Sequence, residues 1–149
     1  ANPKSFNIYA QEGVDAIRCG IGSGHSCFVQ GTKVLTKKGY KNIENIINGD
    51  YVLTHKGTFE KVINLISYNT KEELININDT ISTKDHKYYV INKKHLNIIN
   101  DSNIYEYAEY IEALKLNSEE HYLSLFSNIE NKKIELKEII KKELVNNTN

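Results

Sequence analysis

Short runs rich in apolar residues recur along this chain, and several of them alternate apolar with polar positions. Glycine and asparagine separate many of these runs and favour turns between them. Alternation with a period of two is typical of strands that bury one face. The pattern predicts strands over residues 32–36, 51–54, 59–67, 73–77, 88–91 and 121–126. The sequence therefore predicts a mainly β domain.

Other segments are less regular. Residues 14–19 suit a short strand, and residues 55–58 suit a hairpin turn. Residues 92–107 are polar and rich in asparagine, which predicts a loop or a ragged hairpin. Residues 108–114 are interpreted as a helical turn, whereas residues 133–136 fit either a strand or part of an amphipathic helix, because their spacing matches both periods.

Composition narrows the function classes. The chain has 149 residues with 40% hydrophobic content, which suits one modest domain. Lys and Arg (19) balance Asp and Glu (19), so no strong field predicts a nucleic acid or a membrane as partner. With no signal-like start and no long apolar run, an intracellular, cytoplasmic protein is expected. Two cysteines in such a chain are more often reactive or incidental than disulfide-bonded.

The most informative stretch is residues 27–54. It begins Cys-Phe-x-x-Gly-Thr-x-Val-x-Thr and continues, after a glycine, as Ile-x-x-Ile-x-x-Gly-Asp-x-Val-Leu. This pattern resembles the N-terminal splicing motif of inteins and other Hint domains. The resemblance implies a horseshoe-like fold of short, curved antiparallel strands that is incomplete without a C-terminal fragment. It also implies that Cys27 is the first intein residue, that residues 1–26 are an N-extein, and that residues 27–149 form the Hint domain.

A second motif supports the same resemblance. Inteins carry Thr-x-x-His in a loop ahead of a strand, and the stretch from Thr83 to His86 matches it. In that family the first step is an N-to-S acyl shift. The resemblance thus implies that the Cys27 thiolate attacks the carbonyl of Ser26 and converts the Ser26–Cys27 peptide bond into a thioester.

The resemblance also assigns roles to the second motif. His86 would protonate the leaving nitrogen as general acid, since the unperturbed pKa of histidine lies near physiological pH. Thr83, through its hydroxyl or its backbone N–H, would stabilise the oxyanion. Asp85 would orient the loop or tune His86. The reaction would be single-turnover and would need no cofactor or metal, and no Cys/His/Asp spacing in the sequence predicts a metal site.

The segment before Cys27 carries a pattern of its own. Residues 20–26 read Gly-Ile-Gly-Ser-Gly-His-Ser, and such glycine spacing frees backbone N–H groups to cradle phosphates. The segment resembles the phosphate-binding loop of an ATPase in the form seen in phage terminase large subunits. His25 stands where that loop needs lysine, so no nucleotide binding is predicted. A flexible Gly/Ser linker is the alternative, and either interpretation predicts poor order unless the segment packs on the domain.

The end of the chain lacks the late intein motifs. Asn149 follows Thr148, where the family pattern has histidine. The simplest interpretation is an N-terminal fragment of a split intein, and a shortened form of a longer intein is the alternative within that class. Its partner would be a C-terminal fragment that supplies the late catalytic residues, a His-Asn end and the C-extein acceptor. The charged tail, residues 128–149, would be either a solvated face or the docking surface for that partner.

Two alternatives differ in mechanism. A Hint autoprocessing domain that cleaves without ligating, as in hedgehog-like proteins, does not need the His-Asn end. A non-catalytic phosphate-loop ATPase fragment, or a simple β-interaction domain, would leave Cys27 an inert buried thiol.

Overall fold

The computed structural model describes residues 4–12, 15–18, 27–54, 57–69, 73–128 and 133–145. Within these ranges the strands are β1 (Lys4–Glu12), β2 (Asp15–Arg18), β3 (Phe28–Val29), β4 (Lys33–Thr36), β5 (Gly39–Asn42), β6 (Tyr51–Leu53), β7 (Phe59–Asn69), β8 (Leu74–Ile77), β9 (Thr80–Thr83), β10 (Lys87–Asn92), β11 (Ala108–Glu112), β12 (His121–Asn128), β13 (Lys133–Glu138) and β14 (Lys142–Val145). The helical elements are α1 (Ile104–Tyr107) and three 3-10 turns, Ile43–Asn45, Lys93–His95 and Ala113–Lys115. The prediction of a mainly β protein is confirmed.

The strands form two antiparallel sheets. A ten-stranded sheet has the order β14-β8-β9-β3-β1-β7-β6-β4-β5, with β2 paired beside β1. A four-stranded sheet has the order β11-β10-β12-β13. The chain crosses from the larger sheet to the smaller one after β9 and returns to the larger sheet between β13 and β14. The smaller sheet is therefore formed entirely by the chain between β9 and β14.

The main hydrophobic core lies between the two sheets. Its buried members come from β8, β10, the third 3-10 turn and the β13–β14 connection: Ile75, Ile77, Val90, Ala113, Leu116 and Ile139. A smaller cluster of Ile46, Val52 and Val62 packs under the β4–β7 region. Of the adjacent residues Ile46 and Ile47, only Ile46 enters this cluster, because Ile47 is 63% exposed.

The turn between β8 and β9 fixes where the chain returns from the second sheet. Asn78 and Asp79 have φ values of 49° and 71°, and the flanking Ile77 and Thr80 are paired, which makes a two-residue hairpin loop of the type that asparagine favours. The Asn78 Oδ1 accepts hydrogen bonds from the backbone N–H groups of Ile140 (3.0 Å) and Lys141 (3.2 Å). Its Nδ2 donates to the Glu138 carbonyl at 2.8 Å. One side chain thereby ties the first hairpin to the start of β14.

Several predictions from the sequence are corrected by the fold. The helical turn predicted for residues 108–114 is wrong: Ala108–Glu112 is strand β11, paired with β10, and only Ala113–Lys115 is helical. Pairing with β10 and the contact between the rings of Tyr110 and Tyr89 (centroids 4.8 Å apart) outweigh the local preference. Of the two options left open for residues 133–136, the strand is correct, because β13 pairs with β12.

The described residues upstream of Cys27, strands β1 and β2, belong to the larger sheet. Strand β1 pairs with β3 on one side and with β7 on the other, and β2 pairs with the far end of β1. The predicted strand over residues 14–19 corresponds to Asp15–Arg18, whereas Cys19 and the glycine-rich residues 20–26 lie outside the described residues. Strand β1 was not predicted, although Phe6, Ile8 and Ala10 carry the period-two alternation that signals it.

Candidate functional site

Cys27 and Thr83 are joined by two hydrogen bonds at the centre of the larger sheet. The backbone N–H of Cys27 donates to Thr83 Oγ1 at 3.1 Å, and the backbone N–H of Thr83 donates to the Cys27 carbonyl at 2.9 Å. Both residues are completely buried. The Cys27 nitrogen is the amide nitrogen of the Ser26–Cys27 peptide bond, so the Thr83 hydroxyl lies against the bond that the sequence analysis predicts to be cleaved.

The pairing of β3 with β9 sets the relative position of Cys27 and Thr83. Phe28, the residue after Cys27, is paired with Ser82, the residue before Thr83, in the β3–β9 ladder. This register puts Cys27 and Thr83 side by side at the ends of their strands. The Thr83 backbone N–H is engaged with the Cys27 carbonyl. Of the two Thr83 groups considered for the oxyanion role, only the hydroxyl faces the predicted scissile bond.

A short turn follows Thr83 and presents His86. The His86 backbone N–H donates to the Thr83 carbonyl at 3.1 Å, which closes the turn. The 3-10 turn Ala113–Lys115 holds the other side, because the Ala113 N–H donates to the His86 carbonyl (2.8 Å) and the Leu114 N–H donates to the Lys84 carbonyl (2.9 Å). The position of the Thr-x-x-His turn therefore depends on a segment some thirty residues later in the chain.

The His86 imidazole is enclosed by aromatic rings. It packs on Phe28 with ring centroids 4.1 Å apart and meets Tyr88 edge to face at 5.5 Å. Only 3% of the residue is exposed, and among the described residues its Nδ1 has no hydrogen-bond partner. Burial lowers the pKa of His86 to about 4, and the nearby Asp85 carboxylate opposes this only in part.

The lowered pKa bears on the general-acid role that the sequence predicts for His86. The ordinary histidine pKa near neutrality was the reason to expect a ready proton donor. In this pocket the imidazole is neutral at pH 7, because the protonated form would lose its hydration. A neutral ring must accept a proton before it can donate one. The Asp85 charge raises the His86 pKa and so offsets part of the effect of burial; its role in orienting the loop or tuning His86 stays a prediction.

Two residues behind the site were not singled out from the sequence. The Tyr88 hydroxyl donates to Ser82 Oγ at 3.2 Å, and Ser82 Oγ donates to the Thr83 carbonyl at 3.1 Å. Ser82 is fully buried, and burial raises the pKa of Tyr88. These bonds brace the end of β9, on which Thr83 lies. The only sequence signal for them was their position beside the Thr-x-x-His motif.

The other described histidines, for which the sequence predicts no functional role, do not join this site. His121 accepts a hydrogen bond at Nδ1 from the Asn117 N–H (3.2 Å), and His95 packs against the Tyr107 ring. In the part of the chain that the structure describes, no three His, Cys, Asp or Glu residues are grouped to hold a metal ion. Within the same ranges, no helix has both the length and the apolar character needed to cross a bilayer. Ser26, His25, His55 and Asn149 lie outside the described residues.

Comparisons with known proteins point to the same stretch. A family model described as "Hint domain" matches residues 26–83, which begins one residue before Cys27 and ends at Thr83. Two curated archaeal proteins are similar, each named "DNA polymerase". The one from Methanocaldococcus jannaschii is 41% identical over 75 residues, or 48% of this chain, and the one from Thermococcus kodakarensis is 41% identical over 68 residues, or 45% of this chain.

The chain spans only 4% of the length of each of these relatives. No solved structure gave a significant match. The Hint match coincides with the pair of residues that the fold brings together, and it supports a self-processing function in general. From Ser26 to Thr83, the chain is similar to a Hint domain.

Proposed function

We propose that this chain is the N-terminal part of an intein and that it carries out the first step of protein splicing at the Ser26–Cys27 bond. The observation that carries the proposal is the hydrogen bond from the Cys27 N–H to Thr83 Oγ1. Every buried N–H needs an acceptor, and here the acceptor is the side chain of Thr83, the first residue of the Thr-x-x-His motif, on another strand. A cysteine whose own amide bond is broken needs that nitrogen fixed in place.

The first step can be written from the residues present. The Cys27 thiol gives its proton to the neutral His86 imidazole, and the thiolate adds to the Ser26 carbonyl carbon. The carbon–nitrogen bond then breaks, and His86 returns the proton to the departing Cys27 nitrogen. The products are a Ser26–Cys27 thioester and a free Cys27 amine. Thr83 Oγ1, which accepts the amide hydrogen, holds this nitrogen throughout.

The surroundings suit this sequence of events. Cys27 and Thr83 are fully buried, so little water competes for the thioester. His86 is neutral at pH 7 and is therefore able to act as base first and as acid afterwards. We assign to Asp85 the stabilisation of the transient imidazolium, since its charge favours the protonated ring.

We further propose that splicing is completed in trans by a C-terminal fragment with a His-Asn end and a C-extein acceptor. Strand β14 ends the larger sheet and β13 ends the smaller one. Unpaired strand edges are natural sites for an added strand. Ile140 (80% exposed) lies just before β14 and Leu144 (65% exposed) lies within it. A partner strand that adds to β14 would cover both.

Residues 1–26 would then be host sequence. The curated relatives, of which the matched segment is a small part, fit an element embedded in a larger protein. The interpretation of residues 20–26 as an interrupted phosphate loop of a terminase-like ATPase belongs to this proposal as well.

The test is intact mass before and after incubation with a strong thiol at neutral pH. We expect the mass to show cleavage between residues 26 and 27 in the parent chain, none in Cys27→Ala, and strongly slowed cleavage in His86→Ala. Cleavage that persists in Cys27→Ala would overturn the proposal. Incubation with a C-terminal fragment that binds then separates two functions, because ligation indicates splicing and cleavage alone indicates a Hint autoprocessing domain.

A further inference from the structure

Strand β1 occupies a position between β3 and β7 that a self-contained domain starting at Cys27 would leave open. Ser5 and Phe6 are paired with Val29 and Phe28 on one side. The same two residues are paired with Tyr68 and Ser67 on the other side, within a ladder of seven residue pairs along β7. Residues upstream of the predicted scissile bond therefore form an interior strand of the sheet that carries Cys27.

The register brings the chain back to β1 at the scissile bond. Arg18, the last residue of β2, lies opposite Tyr9 of β1. Phe28, one residue beyond Cys27, lies opposite Phe6 of the same strand. Phe6 and Tyr9 are three positions apart, or about 10 Å along a strand. The chain is thus paired with β1 at Arg18 and again at Phe28, immediately after the residue that follows the Ser26–Cys27 bond.

Phe28 connects this register to the chemistry. Its backbone is paired with Phe6 on β1 and with Ser82 on β9, so β3 has a neighbour on both sides. Its ring lies 4.1 Å from the His86 ring, centroid to centroid. A strand of only two residues has few ladder bonds of its own, and its position depends on both neighbours. A shift of β1 would consequently move Phe28, and with it Cys27.

We propose that residues 4–6 are a positioning segment: they pair with β3 and β7, hold the Ser26–Cys27 junction against Thr83 and His86, and keep the upstream product bound after cleavage. This inference rests on the proposed function. It assigns to the upstream sequence a docking role in the sheet, with main-chain hydrogen bonds supplying the binding. The pairing with β7 does not involve the scissile bond, so it survives when that bond is broken.

The test uses the full chain and proline substitutions. Consecutive strand residues direct their N–H groups to opposite neighbours, so Ser5→Pro with Phe6→Pro removes one donor toward β3 and one toward β7. The conservative variant is Ser5→Thr with Phe6→Tyr, which keeps both donors. Gln11→Pro is the matched proline control in β1, because Gln11 is paired only with Ala16 of β2.

Three readouts are needed: the rate of thiol-induced cleavage, amide hydrogen exchange of residues 28–29 and 67–69, and size-exclusion chromatography of the cleaved parent. We expect the proline pair to slow cleavage about tenfold or more and to lose protection at residues 28–29 and 67–69. The conservative pair should recover the parent rate, and Gln11→Pro should lose protection only at the β1–β2 end. In the parent, peptide 1–26 should elute with residues 27–149.

The outcomes separate the two proposals. Protection that is present in the parent and lost in the proline pair, with no cleavage in any variant, retains the paired strand but overturns the proposed function and the positioning role that rests on it. Cleavage that depends on Cys27 but is unchanged in the proline pair overturns the positioning role alone. Faster cleavage in the proline pair would also overturn it, because β1 would then be an inhibitory strand.

Discussion

Cys27 and Thr83 are joined on both sides of the Cys27 α-carbon: the Cys27 N–H donates to the Thr83 hydroxyl, and the Cys27 carbonyl accepts from the Thr83 N–H. The first bond fixes the nitrogen of the proposed scissile amide, and the second fixes the carbonyl on the other side of the same residue. Cys27 can therefore change its bond to Ser26 without losing its place in the sheet.

Replacing Thr83 by valine should disable this arrangement. Thr83→Val keeps the shape of the side chain but leaves the buried Cys27 N–H without its acceptor, at a cost of about 1–3 kcal/mol in the free energy of unfolding. Thr83→Ser keeps the oxygen and is the matched control. We expect thiol-induced cleavage to slow strongly in Thr83→Val and to remain close to the parent in Thr83→Ser. Equal rates in both variants would show that the hydroxyl has no part in the reaction.

The buried His86 should make the fold sensitive to acid. Its pKa is about 4 in the folded chain and near 6.5 when the chain unfolds. Between these values the unfolded chain binds a proton that the folded chain does not, so the free energy of unfolding falls as the pH falls from 6.5 to 4. The loss from this residue is roughly 3 kcal/mol and is complete below pH 4.

Urea unfolding at several pH values measures this dependence. The Cys27→Ala chain is suitable because it keeps His86 and lacks the nucleophile. Adding His86→Gln should flatten the curve between pH 4 and 6.5, because glutamine does not titrate. An unchanged slope would mean that other groups cause the acid sensitivity.

Asn78 should be important for the return of the chain to the larger sheet. Asn78→Gly keeps the positive φ of the turn but removes the side-chain bonds to residues 138–141, which should lower the free energy of unfolding by about 1–3 kcal/mol. Asn78→Ala should lose about 1 kcal/mol more, since alanine resists that φ. Hydrogen exchange should show loss of protection in β14 in both variants. If alanine and glycine are equally destabilising, φ strain is not part of the effect.

Leu116 should contribute strongly to the stability of the core beside the 3-10 turn that holds the Thr-x-x-His turn. It is fully buried in the main core, directly after the 3-10 turn that binds the Lys84 and His86 carbonyls. Leu116→Ala should lower the free energy of unfolding by about 2–5 kcal/mol. Leu114→Ala, at a residue 47% exposed in the same segment, is the control and should have a small effect. Similar losses in both variants would argue against this packing.

Much of the fold could be predicted from alternation and turn residues. Strands β4, β6, β7, β8, β10 and β12 were placed within a few residues, whereas β5, β9 and β14 were not predicted. The Cys27 and Thr83 motifs lie together on neighbouring strands. The strand Ala108–Glu112 was misassigned because its local pattern is short and its pairing with β10 decides its form. All four residues of β8 are buried, including Asn76, whose Oδ1 accepts a hydrogen bond from the Asp79 N–H at 2.7 Å. Alternation alone does not predict that this polar position is buried.

The chemistry of the site was less accessible from sequence. The motif identifies His86 but not the Phe28 and Tyr88 rings around it, and these rings belong to the pocket that lowers its pKa. Ser82 and Tyr88 carry no motif of their own. Strand β1 was not predicted because the alternation of Phe6, Ile8 and Ala10 is short, and its pairing with β3 and β7 is not visible in the sequence.

The ladder between Lys4–Glu12 and Phe59–Asn69 has a consequence for how the proposed intein would be transferred to a new host gene. A cargo protein joined directly before Cys27 would leave an interior position of the sheet empty. On the proposed function, the unit that must be transferred would include β1 as well as residues 27–149. Insertion into a new host would favour sites where the host already has an extended segment about twenty residues upstream that it can release from its own fold.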